Sequence, residues 1–216
     1  MKPSGFLRAA LLLFPLLFAG SCGAPPAPEE QAIPVLPATS TPVPATNTIR
    51  PPAATTAPTA TEPGPFTLTS PAFNDGQEMA AKNVYKMAGQ CSGENYSPAL
   101  AWTGTPAGTQ SFALTLVDPD GGNWVHWLQF NLPAETTHLP EAVEGPALGV
   151  KGRNDFGGTG YGGPCPPGGT HHYVFTLYAL DTTLDLKTGA WLKDFQTAIQ
   201  GHILAEAKLT GLRTAQ

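Results

Sequence analysis

Residues 111–132 read SFALTLVDPDGGNWVHWLQFNL, and this stretch decides the fold. Residues 111–117 (SFALTLV) form a short apolar run rich in strand-forming side chains, and residues 125–132 (VHWLQFNL) form a second. Asp118-Pro119-Asp120 ends the first run, and Gly121-Gly122 turns the chain between them. A third and longer strand is expected over 172–180 (HYVFTLYAL). Upstream, Phe66-Thr67-Leu68-Thr69 alternates as a half-buried strand does, and Asn74-Asp75-Gly76 signals a turn. A helix is expected over 190–200, with Trp191, Phe195 and Ile199 on one face, and a last strand over 206–212. Between the second and third strands, residues 133–169 read as one long irregular loop, which in a small domain usually carries function. The fold class is mainly β, with a helix near the C-terminus.

The composition agrees with that class. Of 216 residues only 12% are charged, and Gly and Pro contribute 24 each, which is turn-rich and unlike a helical bundle. The formal net charge is −5 and no basic stripe is present, which argues against nucleic acid as a partner.

The N-terminus is a separate matter. Lys2 and Arg8 precede an apolar run over 9–18 that is too short to span a bilayer comfortably. The run ends in Ala19-Gly20-Ser21-Cys22, which resembles a bacterial lipoprotein signal with Phe18 one place ahead of the usual window. The expectation is a signal peptide over 1–21 and lipidation of Cys22; ordinary secretion with cleavage near Ser21 is the plain alternative. Residues 22–65 are almost wholly Pro, Ala and Thr after the cysteine, with no apolar period, and are expected to be a disordered tether. At roughly 3.1 Å per residue in polyproline II, its reach has an upper bound on the order of 130 Å. The folded domain is expected over 66–216, outside the cytoplasm and held to a membrane by its lipid.

Several polar groups stand at strand ends. Asp118 closes the first strand and His126 opens the second. His171 and Tyr173 share one face at the start of the third strand, with His172 on the other. If the strands are neighbours, Asp118, His126, His171 and Tyr173 meet at one mouth. Imidazole and phenol donors, with a carboxylate to orient an imidazole, suit a small anion such as a phosphate ester. Any one of these histidines taken alone reads as a hydrogen-bonded structural residue. The loop from Gly157 to Gly169 contains a formal G-x-G-x-x-G match at Gly158, Gly160 and Gly163. No strand leads into it and the prolines after it cannot start a helix, so the dinucleotide reading fails. Its glycine N–H groups are instead expected to lie open to an anion, with the prolines stiffening the far wall.

These residues, together with Trp124-Val125-His126-Trp127, Gly162-Gly163-Pro164-Cys165-Pro166-Pro167 and His171-His172-Tyr173, resemble the phosphatidylethanolamine-binding protein family, and within it the bacterial Raf-kinase-inhibitor-like branch. The segment from Cys91 to Pro98, Asn154-Asp155-Phe156-Gly157 and the segment from Gly201 to Ala207 fit the same branch. The resemblance implies a β-sandwich of a large antiparallel sheet and a smaller one with a few peripheral helices. It implies a pocket for phosphate or a phospholipid headgroup, with Asp118, His126, His171 and Tyr173 in it and Gly163 and Pro164 in its wall. Asp120 is expected to serve the turn and support the pocket from behind. The C-terminal helix that covers the pocket in eukaryotic relatives has no clear counterpart.

Cys91 and Cys165 remain. Outside the cytoplasm such a pair commonly forms a disulfide, two buried thiols being the alternative. A thiolate nucleophile at Cys165 is disfavoured, because nothing nearby lowers its pKa. The expected function is non-enzymatic binding of a small anionic ligand, with no cofactor. The alternative is inhibition of an extracytoplasmic protease or other enzyme by surface contact. A hydrolase built on Asp118 and His126 lacks a nucleophile at motif spacing, and a zinc site at His126, His171 and Asp118 lacks tight ligand spacing, so no metal is expected.

Overall fold

The structure, a computed structural model, describes residues 64–143 and 148–215. The leader, Cys22 and the expected tether up to residue 63 lie outside the described residues. In chain order the strands are β1 (Thr67–Thr69), β2 (Gln77–Glu78), β3 (Lys86–Met87), β4 (Cys91–Ser92), β5 (Leu100–Thr103), β6 (Ser111–Asp118), β7 (Trp124–Pro133), β8 (His138–Leu139), β9 (Val150–Lys151), β10 (Thr170–Leu180) and β11 (Ile203–Thr214). A 3-10 turn spans Ala81–Asn83 between β2 and β3, and helix α1 (Leu192–Ala198) precedes β11.

The large sheet runs β2-β11-β10-β6-β7-β9, the small one β1-β5-β8, and β3-β4 form a separate hairpin. All pairs are antiparallel except β11 with β2, so the large sheet carries one parallel edge. The expected β-sandwich is present. β6 lies between β10 and β7, so the three long apolar runs of the sequence are neighbouring strands. β11 has twelve residues, longer than β10 with eleven, and runs well past the expected 206–212. The stretch 133–169 is not irregular throughout: β8 joins the small sheet and β9 the edge of the large one.

Burial explains why the central strands are apolar without alternating with polar residues. β6 is buried along nearly its whole length, because both its faces are covered. Phe112, Leu114 and Leu116 on one face meet Phe175 and Leu177 of β10 and Leu68, Leu100, Trp102 and Leu139 of the small sheet. Ala113 on the other face joins Leu128, Phe130 and Leu180 beneath Phe195 and Ile199 of the helix region. Burying a side chain such as Phe195, which is 0% exposed, stabilises the fold by roughly 1.5–3 kcal/mol. Trp191 departs from the expected helix face. It precedes α1 in an extended conformation, is 47% exposed, and lies under the Arg153 guanidinium at 4.7 Å.

Two irregularities interrupt the ladder between β6 and β7. Leu116 pairs with Trp127 and Val117 with Val125, which leaves His126 as an extra residue opposite the β6 backbone. This is a β-bulge, and it turns one side chain out of the regular alternation. Val125 and Trp127 therefore fall on opposite faces of the sheet, although two residues apart. A second bulge lies near Asn131, whose φ is 55°, and it restores Leu132 to the sandwich face.

Candidate functional site

The end of β6, the bulge in β7 and the start of β10 meet at one edge of the large sheet. Val174 pairs with Val117, so Tyr173 and His171 continue β10 beside Asp118. Around them lies a cavity of about 470 Å³. Asp118, His126, His171 and Tyr173 all line it, so four of the six expected pocket residues come together. Asp120, Gly121, Trp124, Phe156, Cys165, Pro166 and Pro167 complete much of the wall, with Met87 and Gln90 from the β3–β4 hairpin at the rim.

Asp118 is 4% exposed, and both of its oxygens are engaged. Oδ1 accepts the Gly121 N–H at 2.9 Å and Oδ2 accepts the His171 Nδ1–H at 2.7 Å. Glycine is needed at 121: a Cβ there would stand 2.8 Å from Asp118 Oδ2. The carboxylate thus fixes the orientation of His171 and its Nδ1–H tautomer. The Tyr173 phenol is pushed well above the usual tyrosine range, first by burial and then by Asp118, while a hydrogen bond from the Cys165 backbone pulls the other way. It keeps its proton and is a donor at every ordinary pH.

His126 is held by a reciprocal pair of bonds. Its Nδ1 lies 2.7 Å from the Gly162 carbonyl, and the Gly162 N–H donates to the His126 carbonyl at 2.8 Å. A carbonyl can only accept, so Nδ1 carries the proton. Burial lowers the His126 pKa below 6.5, against the opposing pull of the Gly162 and Gly163 carbonyls and of Asp118 and Asp155. The ring is therefore neutral near pH 7, with Nε2 as an acceptor. Its faces and edges meet Phe156 at 5.3 Å and Tyr173 at 5.0 Å between ring centroids.

Asp120 does more than serve the turn. It lines the cavity mouth and accepts from both the His172 backbone N–H at 2.7 Å and His172 Nδ1 at 2.9 Å. Those two bonds, the backbone one first, hold its carboxyl below the usual range. His172 points away from the cavity, as strand alternation requires.

Gly163 and Pro164 stand behind the wall. The Gly163 N–H donates to Asn95 Oδ1 at 2.7 Å, and the Pro164 carbonyl accepts from Tyr85 N–H at 2.9 Å. A Cβ on Gly163 would lie 2.2 Å from the Asn83 carbonyl oxygen, and one on Gly162 would lie 2.4 Å from Phe156. These glycines serve close packing, and their N–H groups are spent on protein acceptors. The expectation of open glycine amides facing an anion is corrected accordingly. Pro166 and Pro167 do line the cavity, as stiff wall residues.

Phe156 has no role in the sequence-based reading of the site. It stacks on Tyr85 at 4.3 Å, meets Trp124 at 5.8 Å and abuts His126, so it joins the hairpin side of the cavity to the β7 side. Its signal was its place in Asn154-Asp155-Phe156-Gly157, where Asp155 accepts the Val125 N–H at 2.7 Å and fixes that loop to the bulge. Cys91 and Cys165 form a disulfide, which ties the β3–β4 hairpin to the wall segment beside Tyr173. Among the described residues no set of three or more His, Cys, Asp or Glu side chains is arranged to hold a metal ion.

The comparisons with known proteins converge. The model of the family described as phosphatidylethanolamine-binding protein matches residues 69–214. A UPF0098 protein of Methanothermobacter thermautotrophicus is 46% identical over 151 residues, which is 67% of this chain and 96% of that protein. The Escherichia coli UPF0098 protein YbhB is 41% identical over 155 residues, covering 67% of this chain and 98% of its own length. The crystal structure of E. coli YbcL, described as a new member of the mammalian PEBP family, superposes with a TM-score of 0.65 at 36% identity, over 70% of this chain and 99% of that one. With the sandwich, the bulged histidine and the Asp118–His171 pair in place, the chain belongs to the phosphatidylethanolamine-binding protein family.

Proposed function

We propose that this protein binds a small phosphate-bearing ligand, free or as a lipid headgroup, without transforming it, and does so outside the cytoplasm on a membrane tether. The observation that carries the reading is the cavity at the end of β6. Its polar groups, the Tyr173 hydroxyl and the His171 ring held by Asp118, converge on a space walled by Trp124, Phe156 and two prolines. That mix of a few placed polar groups and an apolar lining is typical of a small-molecule site. No Ser, Thr or free Cys is among the lining residues, and the one cysteine there is in a disulfide. That inventory supports binding over covalent catalysis.

The address rests on two features. The leader ends in Ala19-Gly20-Ser21-Cys22, and the Cys91–Cys165 disulfide suits an oxidising compartment. Two experiments test the reading. Titration calorimetry with glycerol phosphate should show binding by the full chain and at least tenfold weaker binding by His171→Ala. Equal affinities would remove the cavity from consideration. Cys22→Ala should leave the membrane fraction for the soluble one; a variant that stays with the membrane refutes the lipid anchor.

A further inference from the structure

The donors and acceptors around the cavity are unequal, and this bears on which anions enter; the selection rests on the anion-binding reading. Asp118 is a carboxylate with an N–H already on each oxygen, and it can only accept from a ligand. His126, its Nδ1–H committed to Gly162, also offers a ligand only a lone pair. The charged and titratable groups about His126 are Asp118 and Asp120 from the β6 end, Asp155, and His171 and Tyr173 from β10. Arg213 of β11 stands opposite His171, but its guanidinium is turned to Glu78 at 3.3 Å. Among the described residues no Lys or Arg lines the cavity. A bare anion seated there would meet a buried carboxylate and a ring lone pair with nothing to give either. An anion that brings its own proton donor satisfies them.

We propose that the cavity selects anions carrying an O–H or N–H donor beside their negative oxygens, foremost the acid monoanion of a phosphomonoester, and rejects bare anions such as sulfate. The P–OH would donate to Asp118 or His126 Nε2, while another oxygen accepts from the Tyr173 hydroxyl. The ammonium of an ethanolamine diester would supply an equivalent donor from the other source of such ligands, a lipid headgroup. A mismatched buried acceptor costs roughly tenfold in binding, and facing Asp118 unpaired adds to that.

The test is a set of three titrations of the full chain from pH 6 to pH 8, with glycerol phosphate, sulfate and glycerophosphoethanolamine. A phosphomonoester has a second pKa of about 6, so its acid form falls about fifty-fold over that range. Sulfate carries no proton there, so its profile reports the imidazoles alone and is divided out. Glycerol phosphate should bind at least tenfold more tightly than sulfate at pH 6, and its corrected affinity should fall about fifty-fold by pH 8. Glycerophosphoethanolamine should beat sulfate at every pH with a flat corrected profile. In Asp118→Asn the preference over sulfate should shrink. Sulfate binding equal to glycerol phosphate at pH 6, or a flat corrected glycerol phosphate profile, overturns the selection rule while leaving the anion site standing. No binding of any probe overturns the anion site itself, and the rule with it.

Discussion

Breaking the Cys91–Cys165 bond should weaken the domain by an amount that its topology sets. The two cysteines are 74 residues apart, and the loop they close includes β5, β6, β7, β8 and β9. On the chain-entropy model a loop of that length removes about 15 cal/mol/K from the unfolded ensemble, or about 4.4 kcal/mol at 25 °C. For a domain of this size that corresponds to a fall in Tm of roughly 9–18 °C. The native packing that is lost is small, because β3 and β4 pair over only two residues each and Cys91 is the buried residue among them. Scanning calorimetry on the full chain, oxidised and after reduction, measures the difference directly; a Cys91→Ala, Cys165→Ala double variant removes any effect of the reductant. A loss below about 1 kcal/mol, or a Tm shift under about 3 °C, would refute the reasoning. It would mean that the unfolded chain gains little freedom when the link is cut. The same cut should lower glycerol phosphate affinity, because Met87 and Gln90 reach the cavity from the released hairpin.

Two further outcomes are expected. Gly163→Ala forces a Cβ into the Asn83 carbonyl and should destabilise by several kcal/mol in urea unfolding, whereas Gly168→Ala, with open space around it, should lie within about 0.5 kcal/mol of the parent. His126 has a folded pKa below its unfolded 6.5, so the unfolded chain binds the extra proton. The stability this neutral ring contributes is complete above pH 6.5 and is lost as pH falls from 6.5 through the folded value, by up to about 1.4 kcal/mol per pH unit. His126→Gln should lack that slope; urea midpoints of both chains at pH 7.5, 6.5 and 5.5 measure it.

How legible each element is in the sequence depends on what it owes to its own residues. β6, β7 and β10 are long apolar runs bounded by Asp-Pro, Gly-Gly and Gly-rich breaks, so their existence and near-exact limits can be read. β3, β4, β8 and β9 are two residues each, too short for any period, and exist because a neighbouring strand offers hydrogen bonds. The start of β11 escapes the pattern because Ile203 and Leu204 are both exposed at about 40%, which breaks the alternation. Trp191 has the spacing of a helix face but serves as a platform beneath the Arg153 guanidinium. The site divides in the same way. Asp118, His171 and Tyr173 follow from strand ends and parity. The placing of His126 comes from a register shift between two strands, a relation that neither strand's sequence contains alone. Gly163 and Pro164 belong to a glycine-proline run that marks the wall, yet their own contacts are with the 83–95 segment behind it.

The extra residue in β7 has a consequence for anyone redesigning this domain. A protocol that rewards regular ladders would delete it, restoring an unbroken hydrogen-bond pattern between β6 and β7 and gaining order in the strand. The same edit would remove the imidazole from the cavity, and because Val125 and Trp127 already pair in sequence with Val117 and Leu116 and lie on opposite faces, it would leave both of them where they are. Recognition here is written as a deliberate miscount between two adjacent strands, so a more perfect sheet would be a blind one.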